Sequence, residues 1–310
     1  MKKFSLLIAI LSAGLFTYAQ EDGSTLEQPV RTPVEFPWVQ EDVGDFSDPV
    51  QYVHQRQNDV MYSFTIWRTI DLREKMNHPL YFPVDRRGTW RSLGQVILDA
   101  VDARNPENEN ALPLYYDEFC TNPIPRENIL SVLSHSYSTE QIDPDTYEVI
   151  GSIDVVNEHA ASEILFYNVK EVWFFDKQRS VQDVRILEIE PMIEYERPTN
   201  QSYDQPVTDF EEEEVRAATS IKRVGYIYYN ELRPFLAQQE VYNVKNNSQR
   251  ISLDDCITWK RQFNSYIIAE GNPYGDRQIQ EYITNARDQR IESENITNKI
   301  RVMEHDLWEF

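Results

Sequence analysis

The chain has 310 residues, with 52 acidic against 30 basic side chains, a formal charge of −22 and 41% hydrophobic residues. Such a length supports one large or two ordinary domains with a substantial core, and the charge excludes a nucleic-acid or anionic-lipid partner in favour of a basic protein surface. Nine glycines leave little material for phosphate-binding loops, and no dinucleotide fingerprint, Gly-x-Ser-x-Gly elbow or zinc motif is present.

Residues 1–19 open with Lys2 and Lys3, continue as an apolar run from Phe4 to Phe16 and end in Thr17-Tyr18-Ala19. This predicts a signal peptide cut between Ala19 and Gln20, since the run is shorter than the roughly 20 residues of a membrane-spanning helix. No cysteine stands at the cleavage point, so the mature chain is expected to reach a membrane only through partners. Residues 20–57 form an acidic, proline-rich arm with Pro29, Pro33, Pro37 and Pro49, which forbid a continuous helix. Its spaced aromatics, Trp38 above all, are candidate contacts with a neighbouring subunit.

Residues 58–275 form the predicted core. Between Asp59 and Ile70 two patterns compete. Val60, Phe64, Trp67 and Ile70 recur at helical spacing while Tyr62, Phe64 and Ile66 alternate, and a helix is favoured. Ser92 and Gln95 make a capping box ahead of a helical face of Val96, Ile97, Ala100 and Val101. A polar loop follows at 105–110, and Pro125 opens a short helix from its first turn.

Ala161 to Met192 reads as two apolar strands, the first covered on both faces, joined by the five residues Asp176-Lys177-Gln178-Arg179-Ser180 as a hairpin. A flexible loop is expected at about 198–219 around Pro206 and the four glutamates Glu211 to Glu214. A strand is expected at 225–229, with Pro234 closing the segment after it. Ser252 is read as the cap of a helix carrying Ile257, Trp259 and Phe263.

Residues 276–310 have helical periodicity, with Ile279, Tyr282, Ile283 and Ala286 on one stripe and Ile296, Ile300, Met303 and Leu307 on another. That segment packs on its own domain or seats on an adjacent subunit. Trp308 and Phe310, at the terminus, are candidate partner anchors. The fold class is α+β, mixed helices and antiparallel strands with a polar C-terminal helical segment.

The five histidines, His54, His78, His135, His159 and His305, have no metal-pair spacing, and no catalytic, cofactor-binding or metal-binding residue is assigned. A carboxylate-dependent hydrolase needs a concave site holding carboxyls of split pKa, which no spacing requests. Cys120 and Cys256 are the only cysteines. In an exported protein they allow a disulfide or two separate buried thiols, and both readings stay open.

The block from Ala161 to Met192 and the closing Met303-Glu304-His305-Asp306-Leu307-Trp308-Glu309-Phe310 resemble the GldN/PorN family. So do Trp67-Arg68-Thr69-Ile70-Asp71-Leu72-Arg73-Glu74-Lys75, Asn77-His78-Pro79-Leu80-Tyr81-Phe82-Pro83 and Ser265-Tyr266-Ile267-Ile268-Ala269-Glu270. The family supplies a periplasmic ring component of the Bacteroidetes type IX secretion and gliding machinery. The resemblance implies a non-catalytic subunit under the outer membrane, self-associated in a ring with a GldK/PorK-like lipoprotein and linked to the GldL and GldM/PorM-like motor pair. A periplasmic hydrolase and a free soluble binding protein are the alternatives.

Overall fold

The computed structural model describes residues 48–86, 90–105, 107–108, 110–142, 149–196, 219–243, 246 and 249–307. The signal segment with Ala19 and Gln20, the arm through residue 47 with Trp38, the loop holding the four glutamates, and Trp308 and Phe310 lie outside the described residues.

In chain order the elements are β1 (Val60–Asp71), α1 (His78–Tyr81), α2 (Leu93–Val101), α3 (Arg126–Val132), β2 (Ser134–Ile142), β3 (Val149–Glu158), β4 (Ile164–Asp176) and β5 (Val181–Glu196). There follow β6 (Thr219–Arg223), β7 (Ile227–Tyr228), α4 (Tyr229–Ala237), β8 (Glu240–Val241), β9 (Ile251–Ser252), a π-helical turn (Asp255–Trp259), β10 (Tyr266–Glu270), α5 (Ile279–Tyr282) and α6 (Ala286–Asp306). The main sheet is antiparallel in the order β10-β1-β4-β5-β6, with β7 also on β5. The fold is α+β, as expected.

The segment read as a helix between Asp59 and Ile70 is instead the inner strand β1, paired with β4 on one side and β10 on the other. Alternation prevails because a strand lying between two partners satisfies its backbone on both edges. It buries Ile66 and Ile70, and the helical spacing of Phe64 and Trp67 joined residues that a strand sends to opposite faces.

The β4–β5 hairpin forms as predicted, with Asp176 ending β4 and a four-residue turn at 177–180. The Asp176 carboxylate accepts from the Gln178 N–H at 2.9 Å and pairs with Arg179 at 2.6 Å, fixing the reversal. The expectation that β4 is covered by apolar groups on both faces is corrected. Tyr167 and Val169 enter the core, while Asn168 and Lys170 occupy a polar opposite face.

Under the apolar face, Ile186, Ile189 and Ile193 of β5 meet Leu93, Ile97 and Val101 of α2 and Leu232 and Leu236 of α4 in the main cluster. A second cluster joins Ile66 and Ile267 to Ile279, Ile296 and Ile300, so α5 and α6 cover the far end of the sheet. The Ile267 N–H donates to Ser293 Oγ at 2.8 Å, tying β10 to α6. Among the described residues no helix is long and apolar enough to cross a membrane.

The capping box of α2 is present, with the Gln95 N–H donating to Ser92 Oγ and the Ser92 N–H donating to Gln95 Oε1, both at 3.3 Å. Pro125 is the residue just before α3, one position earlier than expected. Pro234 lies inside α4 and does not close it. Ser252 caps as predicted, accepting from the Asp255 N–H at 3.0 Å. The segment it opens is a single turn, because Arg261 turns to a φ of 46° and leaves Phe263 outside any helix. The C-terminal segment is two helices, the second started by Asn285, whose side chain accepts from the Arg287 N–H at 3.1 Å.

Candidate functional site

Register builds a polar surface on the sheet face opposite the core. Trp67 of β1 stands opposite Lys170 of β4, which stands opposite Glu188 of β5. One step along, Thr69, Asn168 and Glu190 make a second row. Side chains two apart on a strand share a face, so both rows point the same way. Apart from Thr69 they floor a cavity of about 270 Å³, walled by Glu118, by Arg223 and Tyr226 beside the end of β6, and by Gly275, Asp276 and Gln278 ahead of α5.

Most of these groups are held in place. Trp67 Nε1 donates to Glu118 Oε1 at 2.9 Å, and Lys170 Nζ donates to the same oxygen. The Lys170 ammonium lies 5.2 Å from the Trp67 ring centre and 4.9 Å from that of Phe119, within cation–π range. Thr69 Oγ1 donates to Asn168 Oδ1 at 2.7 Å, and Asn168 Nδ2 passes the chain on to Glu190 Oε2 at 2.9 Å. Arg223 Nε lies 3.4 Å from the other Glu190 oxygen.

Among the described residues Glu190 Oε1 has no hydrogen-bond partner beyond that ion pair, and neither has Oε2 of Glu188, which is 4% exposed. Burial pushes the Glu188 carboxyl up to about 8, against the pull of Lys170 and with help from Glu118 and Glu190. Burial also raises Glu190, opposed by its hydrogen bond from Asn168 and by Arg223.

Backbone geometry holds the walls. Tyr115 and Tyr226 exchange N–H to carbonyl bonds of 2.8 and 2.9 Å, clamping the loop that carries Glu118 to the segment after β6. Asp117 accepts from the Thr121 and Asn122 N–H groups at 3.2 and 2.8 Å, closing that loop. On its tip Phe119 is 78% exposed, and Tyr274, beside Gly275, is 79% exposed, so both aromatic rings stand next to wall residues with little cover.

In the structure both thiols are free. Cys120 sits half-buried on the loop beside the cavity, whereas Cys256 belongs to the main apolar cluster. Burial pushes the two thiols up to about 12 and about 11. Of the other residues selected from sequence, Ala19, Gln20, Trp38, Trp308 and Phe310 lie outside the described residues. The site was missed although its signal is legible, as polar Asn168 and Lys170 interrupt one apolar strand two apart and Glu188 and Glu190 do so in its partner.

The cavity supplies the concave acidic site that a hydrolase would need. Its two buried glutamates are both shifted upward, however, so they do not divide into the raised acid and ionised partner that glycoside cleavage uses. Glu118 is occupied by Trp67 and Lys170. Among the described residues no group of three or more His, Cys, Asp or Glu side chains is placed to hold a metal ion.

Comparison with curated proteins finds no match. Residues 55–309 match the family described as gliding motility associated protein GldN. The match takes in the sheet, both apolar clusters and every wall of the cavity, and the chain belongs to the GldN family of gliding motility associated proteins.

Proposed function

We propose that this chain is a structural subunit of the type IX protein secretion system, exported to the periplasm and held at the inner face of the outer membrane by a GldK/PorK-like lipoprotein. In this reading it self-associates in a ring, engages the periplasmic region of a GldM/PorM-like motor protein, and supports secretion and, where the cell glides, motility. Family membership supports the reading. The observation that carries it to the surface of the molecule is the pairing of bare aromatic rings, Phe119 and Tyr274, with an acidic recess. Aromatic anchors around a charged centre are the usual makings of a protein interface.

The test is deletion of the gene with complementation. Loss of type IX cargo export, restored by the wild-type gene, together with recovery of the lipoprotein in one high-mass particle, is the expected result. Intact export after deletion overturns the reading. A second reading, a cell-wall hydrolase with Glu188 as general acid, draws on the raised Glu188 carboxyl alone. It requires the purified mature protein to cleave peptidoglycan and Glu188→Gln to abolish the cleavage.

A further inference from the structure

We infer that the cavity above Trp67, Lys170 and Glu188 receives the guanidinium of an arginine presented by another polypeptide, and that Glu188 is the carboxylate that pairs with it. The inference rests on the reading of this chain as an assembly subunit and names the chemistry of its partner.

Three observations converge on this occupant. The first is the orphaned oxygen: Glu188 is 4% exposed, lines the cavity and leaves Oε2 without a hydrogen-bond partner among the described residues. A buried carboxylate oxygen in that state costs free energy until a donor reaches it. The second is charge. Glu118, Glu188, Glu190 and Asp276 line the cavity against only Lys170 and Arg223, so when Glu188 ionises its charge exceeds what the cations of the recess can match and leaves a place for another. The third is shape. The cavity, about 270 Å³, lies at the lower limit of the roughly 300–1,000 Å³ of small-molecule sites and has room for a single side chain, and its lining includes the aromatic residues Trp67 and Tyr226, the residue type beside which a planar guanidinium is favoured. A metal ion is a poorer occupant, since these carboxylates do not group as a metal site.

Phe119 and Tyr274 then extend the contact onto the partner backbone around the arginine. A basic surface is also what a chain of charge −22 attracts.

Binding is coupled to a proton. Burial raises the Glu188 carboxyl to about 8, so near neutrality it holds a proton that an arriving guanidinium must displace. The charged groups facing it are Lys170 from β4, Glu190 from β5, Arg223 from β6 and Glu118 from the clamped loop, with Asp276 at the rim. Asp117, Cys120 and Tyr226 are the remaining titratable neighbours. Glu190 is raised as well and reinforces the trend. Below about pH 8 affinity therefore rises with pH by up to roughly tenfold per unit.

The experiment is calorimetric titration of the full mature protein with N-acetyl-arginine amide between pH 6 and 9, in two buffers of different ionisation enthalpy, with N-acetyl-citrulline amide as the neutral isostere. Expected are saturable binding of the arginine probe, release of about one proton near neutral pH and no citrulline binding. Glu188→Gln should weaken the arginine probe at least about tenfold and flatten its pH dependence, while Glu294→Gln on the exposed side of α6 changes neither. Equal binding of citrulline overturns the inference, as does an unaltered Glu188→Gln variant. Calcium chloride competing with the probe and binding more tightly than it does, in a Glu188-dependent way, also overturns it. If the probe fails while the lipoprotein still co-purifies, the arginine site is wrong and the assembly role stands.

Discussion

Arg233 and Asp254 meet as a doubly hydrogen-bonded pair inside the protein, Nε to Oδ1 and Nη2 to Oδ2 both at 2.9 Å, with the side chains only 6% and 2% exposed. The pair fastens α4 to the π-helical turn, and Thr258 Oγ1 adds a 2.7 Å bond to Asp254. Arg233 also donates to the Val50 carbonyl, and its guanidinium lies 4.2 Å from the Tyr52 ring centre, with that of Arg185 3.8 Å from the same centre. Tyr52, which the sequence places in an arm reaching for a neighbouring subunit, therefore docks on its own chain.

Removing the charge of Asp254 strands a buried guanidinium. Asp254→Asn is expected to cost about 3–5 kcal/mol, read as a lower urea midpoint, and to raise amide exchange around residues 50–55. Glu294→Gln breaks an exposed pair with Arg290 and is the comparison, at about 0–1 kcal/mol. A loss below about 1 kcal/mol for Asp254→Asn would contradict the pair's role in holding the N-terminal segment.

Gly225 is the backbone hinge of the acidic cavity. Its φ is +130°, and a Cβ there would lie 3.2 Å from the Tyr115 carbonyl oxygen and 3.3 Å from Ile124 Cδ1. Gly225→Ala is expected to destabilise by about 1–3 kcal/mol, since the conformation is strained for any L side chain and both neighbours are packed. The Tyr115–Tyr226 exchange is next to give way, carrying Glu118 and Tyr226 out of position. Tryptophan fluorescence, to which Trp67 contributes through its bond to Glu118 among the six tryptophans of the chain, should change along with the melting temperature. An unchanged melting temperature rules out this strain.

The legible parts of the fold are those decided locally. Ser92 and Gln95 announce a helix start in four residues, and the two apolar runs around Lys177 to Ser180 announce a hairpin. What sequence misjudges is decided by partners far along the chain. Val60–Asp71 is a strand because β4 and β10 lie on either side of it, and β10 begins nearly two hundred residues later. The cavity is hidden for the same reason. Asn168 and Lys170 look like isolated polar residues until register aligns them with Trp67, Thr69, Glu188 and Glu190 on one face. Ser252 shows the opposite limit, a cap correctly read whose helix ends after one turn because of the backbone at Arg261.

The two thiols are predicted to be inert. With burial and then its carboxylate neighbours pushing Cys120 up to about 12, and burial holding Cys256 near 11, the thiolate fraction at pH 8 is about one in a thousand or less. Ellman's reagent should react slowly with the native protein and completely with two thiols in urea. Electrophoretic mobility and melting temperature should be the same with and without dithiothreitol. A reductant-dependent melt would show a covalent link between Cys120 and Cys256, contrary to the free thiols of the structure.

Glu188 should make stability depend on pH in a direction opposite to that of a paired carboxylate. Its carboxyl titrates near 8 in the folded protein and near 4.5 when unfolded, so between those values the native state holds a proton that the unfolded chain has lost. Below about 4.5 both states are protonated and the contribution is intact. It is lost as pH rises from about 4.5 to about 8, at a slope of at most about 1.4 kcal/mol per unit, and is gone once the folded-state carboxyl has titrated. Glu188→Gln keeps the shape without the ionisation, so its urea midpoint should match the wild type near pH 5 and exceed it near pH 9. Comparing the two proteins removes the general repulsion of a chain with charge −22, which both share apart from one unit at high pH. Curves that stay parallel from pH 5 to 9 would mean that water or a neighbouring cation reaches Glu188 and leaves it an ordinary surface acid.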